Sequence, residues 1–297
     1  MDALTGVIVR RVLPFWISIA LLSLAQGIVV ALPGALVAPW LASLRGRRWA
    51  VIPPLSVIAF VFIAREAENA SAQGLTYLAL VAVPILAALA LGWLVWAAQP
   101  SKPWWALLVV PLFALAWADR TGLAGEGAAL LLSALSCAAL GVLIATVTPP
   151  RWLAAGIVAM AVADTWLVVS DLLQRPNNAL NAAHPAAGLP QLQNAIFGSA
   201  VMGYGDLFIA GALGGLLAAS VGRHLQLRAA ALTAILALGF DLLFFLVDEL
   251  PATVPVASAL VVIILRRGLR SAAGQGAPTA RLLRPARSPR SRGQAAR

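Results

Sequence analysis

Charge is scarce in this chain. Of 297 residues only 11% are Asp, Glu, Lys or Arg, against about 25% in an ordinary soluble domain, while 61% are apolar. A soluble fold of this size cannot cover its surface with so few charges, so the composition points to a polytopic membrane protein. Cysteine is almost absent. Cys137 stands alone, which excludes an internal disulfide and disfavours a cysteine metal site. The two histidines, His184 and His224, lie far apart in loops, so no histidine metal site and no serine nucleophile with an intramembrane histidine partner is expected. A His-Glu-x-x-His zinc motif is also missing. No metal and no organic cofactor is called for.

What the chain does have is a basic tail and long apolar runs. From Arg266 to Arg297 there are nine arginines and no acid, while the preceding residues carry 12 bases and 11 acids. Nucleic-acid binding by the whole chain is not implied. A basic tail beside a membrane implies a cytoplasmic end held against anionic lipid. The tail from Ser271 is rich in Ala, Gly, Pro, Ser and Arg and is expected to be disordered. Ten tryptophans fit anchoring at membrane interfaces.

A bilayer core of about 30 Å needs roughly 20 apolar residues per helix. The runs predict nine spans, at Val12–Leu32, Ala50–Ala64, Leu75–Ala98, Trp104–Ala118, Gly127–Val147, Trp152–Leu173, Leu192–Ala219, Ala229–Val247 and Leu250–Leu265. The first is expected to be kept as a signal-anchor. The predicted fold is therefore an all-α membrane protein with nine transmembrane helices. Residues 1–150 form spans one to five as a scaffold, 151–270 carry the catalytic spans, and 271–297 are the tail. With the C-terminus inside, the inner loops and tail hold 16 bases and no acid, while the outer segments hold five bases and seven acids. That asymmetry sets the N-terminus outside and the C-terminus in the cytoplasm. Gln174–Gln191 is the longest polar connection between spans.

Four acids fall inside or at the ends of spans, namely Asp164, Asp171, Asp206 and Asp241. Each is costly in hydrocarbon and asks for a reason. Asp164 lies about 18 Å above the inner face and Asp206 about 20 Å, counting 1.5 Å per residue along antiparallel spans six and seven. Asp171, seven residues further, is expected on the same helix face but nearer the outer surface. Asp241 is the rival partner at mid-depth, or a buried polar anchor. Two carboxylates at one depth in a low dielectric cannot both ionise cheaply, so they share a proton. Such a pair can deprotonate a water and protonate a peptide carbonyl. Asp206 closes the run Gly203-Tyr204-Gly205-Asp206, whose glycines remove side chains and let water, backbone or substrate approach. Gly211 and Gly215 have helix-packing spacing.

Asp164 in span six, Gly203-Tyr204-Gly205-Asp206 in span seven and Leu250-Pro251-Ala252-Thr253 opening span nine resemble the presenilin and signal peptide peptidase family of intramembrane aspartyl proteases. The resemblance implies nine spans, Asp164 and Asp206 as the catalytic pair, and Gly203, Tyr204, Gly205, Leu250, Pro251, Ala252 and Thr253 around the substrate. Two positions depart from the family pattern. Ala163 stands where a tyrosine precedes the first aspartate, and Thr253 replaces the leucine of Pro-Ala-Leu. The implied substrates are transmembrane segments or signal-peptide remnants, because the orientation matches signal peptide peptidases and is opposite to presenilin. A substrate helix would enter sideways and unwind, and the 174–191 loop with the start of span seven would pair with it by strand addition. Type IV prepilin peptidases share the Gly-Tyr-Gly-Asp run, but Phe208 stands where they carry lysine. Their first aspartate is only loosely matched by Asp171, Arg175, Pro176 and Asn177. A transporter or assembly protein using its acids for protons or ions is a third reading. Oligomeric state is not legible.

Overall fold

The computed structural model describes residues 13–35, 41, 43–247 and 250–275. Apolar runs with few breakers form helices, because hydrocarbon forces each backbone polar group to find its partner within the segment. In chain order these are α1 (Phe15–Ala31), α2 (Ile52–Glu66), α3 (Glu68–Leu89, prolonged by a π turn Ala90–Leu94), α4 (Val109–Ala118, led in by a 3-10 turn Pro103–Leu108), α5 (Leu123–Val147) and α6 (Pro150–Val169). There follow α7 (Gln174–Ala182), strands β1 (Asn194–Phe197) and β2 (Ala200–Gly203), α8 (Tyr204–Ser220), α9 (Arg223–Asp241, continued by a 3-10 turn Leu242–Phe245) and α10 (Val254–Gln275). Among the described residues four helices are long and apolar enough to cross a membrane: Asn69–Leu94, Leu123–Val147, Pro150–Val169 and Arg223–Phe245. Shorter apolar helices run over Phe15–Ala31, Pro103–Ala118, Tyr204–Ser220 and Val254–Arg266. Large apolar side chains such as Val81, Ile85, Val162 and Val169 are exposed, as befits a hydrocarbon surround.

Helix α5 is the centre of the packing, against α3, α4 and α8. Its contact with α8 is backbone to backbone. A side-chain carbon added at Gly211 would overlap the Cys137 carbonyl, and one at Gly141 would overlap the Gly211 carbonyl. Gly215 meets the Gly141 carbonyl in the same way. The spacing of Gly211 and Gly215 thus serves close helix approach. Helix α1 packs on α8 and α9. Gly222, at φ +97°, ends α8 in a left-handed turn that returns the chain at once as the antiparallel α9.

Several expectations need correction. Span seven does not begin as a helix at Leu192. Residues 194–203 form a two-residue antiparallel hairpin, with Asn194 opposite Gly203 and Phe197 opposite Ala200. Gly198, at φ +61°, makes its turn. The all-α description therefore holds for the bulk of the chain but omits this hairpin. The Gln174–Gln191 connection is not simply a loop, since α7 and a 3-10 turn Ala186–Gly188 occupy much of it. Span nine starts at Val254 rather than Leu250, because Pro251 cannot donate to a preceding turn, and its helix runs past Leu265 and Ser271 to Gln275. The rest of the basic tail lies outside the described residues, as do Asp2, Arg10, Arg11, Asp248 and Glu249 of the charge count. The chain divides into two compact units, residues 1–261 and 262–297, and everything in the site below belongs to the first.

Candidate functional site

Pro150 opens α6 at a first-turn position, where its missing N–H costs nothing. From there Asp164 is 14 residues along, or about 21 Å. Asp206 is 14 residues before the end of α8 at Ser220, again about 21 Å. Helices α6 and α8 pack together. Both residues line one cavity of about 760 Å³.

Each carboxylate is held by its own donor. Asp164 is 9% exposed and its Oδ2 accepts a hydrogen bond from Thr253 Oγ1 at 2.7 Å. Thr253, itself 0% exposed, comes from the Pro-Ala-Thr turn ahead of α10. The leucine of the family pattern could not make this bond, so the departure at Thr253 supplies a polar anchor for the first aspartate. Asp206 sits in the first turn of α8, and its Oδ2 accepts the Gly203 backbone N–H at 3.1 Å. A carboxylate there is also favoured by the positive end of the helix dipole. A side-chain carbon on Gly203 would lie 3.0 Å from that Oδ2, a tight contact that glycine avoids. Gly205 has only Met160 Cε near the space its side chain would fill, at 3.9 Å, and it faces the cavity.

The remaining candidates divide. Tyr204, Gly203, Leu250 and Ala252 line the cavity. The Tyr204 hydroxyl is paired with Ser136 Oγ on α5 at 2.8 Å, which ties the start of α8 to the central helix. Pro251 and Thr253 are buried behind the cavity surface. Asp241 lines the same cavity and accepts a 2.7 Å hydrogen bond from Ser23 Oγ on α1, which is the polar-anchor arrangement. Asp171 is not on the face of Asp164. Helix α6 stops at Val169, and Asp171 occupies an exposed left-handed turn at φ +53°. Among the described residues no group of three His, Cys, Asp or Glu side chains could hold a metal ion.

Two contributors were not legible as site residues. Gln26 of α1, 0% exposed, donates through Nε2 to the Ala252 carbonyl at 2.8 Å and to the Asp206 carbonyl at 3.4 Å. It thereby links the two segments that carry Thr253 and Asp206. The signal was present, since Gln26 is a large polar residue in the apolar run Phe15–Ala31. The second is the hairpin. Its turn is pinned by Glu126 Oε2, which accepts the Gly198 N–H at 2.7 Å, and by Ser18 Oγ, which accepts the Ser199 N–H at 3.2 Å. β2 leads directly into Tyr204, so α1 and α5 together fix where Asp206 starts its helix. No protein-family model matches the chain, and neither a curated protein nor a solved structure is significantly similar to it.

Proposed function

We propose that the chain is an intramembrane aspartyl endopeptidase of the presenilin and signal peptide peptidase type, with nine membrane crossings. The observation that carries this reading is that Asp164 and Asp206 line one cavity, with the Pro-Ala-Thr turn donating to Asp164. The nine crossings take in the short apolar helices with the four long ones. The termini are oriented by the charge asymmetry, N-terminus outside and C-terminus in the cytoplasm, with anionic lipid against the basic tail.

In the reaction one carboxylate takes a proton from a water whose oxygen attacks the scissile carbonyl carbon. The other, protonated, gives its proton to the carbonyl oxygen. The gem-diol collapses as the C–N bond breaks: the leaving nitrogen takes a proton from the acid formed in the first step, and one gem-diol hydroxyl returns its proton to the other carboxylate as the carbonyl re-forms. Thr253 Oγ1 and the Gly203 N–H each donate to the Oδ2 of their aspartate. No metal or organic cofactor enters the scheme.

The substrate must be extended at the cut, because a helical peptide bond is shielded by its own turns. In a two-residue hairpin every second residue of each strand points its N–H and C=O away from the partner strand. With Phe197 opposite Ala200 as the bonded closing pair, the outward residues of β2 are Val201 and Gly203. Both line the cavity. The Val201 N–H and C=O and the Gly203 C=O can receive an extended chain by strand addition, while the Gly203 N–H is already committed to Asp206. An extended substrate runs past the pair in one direction, so this orientation favours segments with their N-terminus inside, such as signal-peptide remnants.

The prepilin-like reading requires Asp171 as partner, and the exposed turn of Asp171 gives it no support. A proton- or ion-coupled transporter would use the same acids without peptide cleavage. Incubation of a synthetic transmembrane peptide with the purified protein in detergent separates the two. Cleavage by the wild type and none by Asp206→Ala supports the protease, and an intact peptide in both removes it.

A further inference from the structure

The Gln26 carboxamide is half satisfied. Its Nε2 donates to two backbone carbonyls, those of Ala252 and Asp206. Carbonyl oxygens only accept, so the NH2 group is fixed on that side and Oε1 is turned away from them. Oε1 is buried and has no hydrogen-bond partner. An unpaired buried acceptor is costly and calls for a donor. The donors that hold the site's aspartates are already committed. The Ser23 hydroxyl is given to Asp241, the Thr253 hydroxyl to Asp164 and the Gly203 N–H to Asp206. Gln26 nevertheless lines the cavity that holds both aspartates.

We infer that Gln26 Oε1 accepts one main-chain N–H of the bound substrate beside the scissile bond. This rests on the protease reading above and deepens it. The ligand class follows from the chemistry. Aliphatic side chains of a membrane segment have no donor to offer. The main-chain N–H groups of an intact helix are already spent on carbonyls four residues earlier. Only an unwound peptide carries a free N–H into the cavity. Gln26 therefore recognises the extended conformation as such, independent of side-chain sequence. The oxygen is sealed from solvent in this form, so neither water nor peptide reaches it until the side chains around it part to admit an extended chain next to Asp206, which brings its own donor. Because Gln26 holds the backbone of Asp206 at the same time, the substrate N–H and the catalytic carboxylate are registered to one side chain.

The test uses the full-length protein in detergent and a set of synthetic transmembrane peptides. Each peptide has one main-chain amide near the cut replaced by an ester, which removes one N–H. With the wild type, one ester position raises KM about tenfold. Gln26→Met raises KM on the all-amide peptide by a similar factor and no longer distinguishes that ester from the amide. The inference is overturned if the ester penalties are the same in Gln26→Met as in the wild type, since the oxygen then meets no substrate N–H. If Gln26→Met fails to fold, the wild-type scan still decides, because indifference to every ester overturns the inference without a variant. Peptide cleavage that persists in Asp206→Ala removes the protease reading and this inference with it. Cleavage lost in Asp206→Ala together with unchanged ester penalties removes the inference alone.

Discussion

At the residue scale the site depends on how each carboxylate is restrained. Thr253, itself buried, gives its hydroxyl to Asp164, and hydrogen bonds to a charged group contribute about 1.5–3 kcal/mol. Thr253→Val keeps the shape and removes the donor. We expect kcat to fall roughly tenfold to a hundredfold with KM little changed, by the conversion of 1.4 kcal/mol per decade. Thr253→Ser, which restores the hydroxyl, should recover most of the rate, and steady-state kinetics on one peptide reads both. The other two acids have different expected weights. Asp171, in its exposed turn away from the cavity, should tolerate Asn with activity retained. Asp241→Asn should also cleave, because Asn keeps an oxygen for the Ser23 hydroxyl. A dead Asp171→Asn beside a normal Asp164→Asn in the same assay would overturn the pairing and favour the prepilin-like arrangement.

At the scale of elements, α5 and α8 approach until side chains no longer fit between them. Gly211→Val would drive two methyl groups into the Cys137 carbonyl, which belongs to a helix backbone and cannot step aside. Overpacking of this kind costs typically 1–3 kcal/mol, so the variant should melt several degrees below the wild type in detergent, and Gly239→Ala, with open space around it, should not. This packing was legible from the glycine spacing alone, and counting residues along the helices was enough to expect Asp164 and Asp206 together, which line one cavity. The hairpin was not. Leu192–Ala219 is apolar nearly throughout, so hydropathy runs across β1, β2 and α8 without a break. Only Asn194 and the Gly198-Ser199 turn mark the strands, and their effect depends on Glu126 and Ser18, which are 72 and 181 residues away in the chain. Gln26 escaped for the same reason, since its partners Ala252 and Asp206 are distant in sequence. Asp171 was misplaced because nothing apolar marks where α6 ends; the left-handed turn after Val169 takes it off the helix.

At the scale of the whole molecule, the account is a set of apolar helices with a largely apolar cavity into which a few polar groups, Asp164 and Asp206 among them, are set, and with an orientation proposed from its charges. Reporter fusions after Arg297 and in the turn at Val221–Gly222 should read cytoplasmic, and labels on α7 should react from outside. A C-terminal fusion that reads external would overturn the orientation and with it the preference for substrates whose N-terminus lies inside. The central claim is peptide hydrolysis by Asp164 and Asp206 together. It is tested most directly by mass spectrometry of a transmembrane peptide after incubation with wild-type protein, Asp164→Asn and Asp206→Asn, each shown to be folded. The account predicts two fragments from the wild type, cut within the apolar segment, and an intact peptide from both variants. Fragments from either variant at the wild-type rate would contradict it.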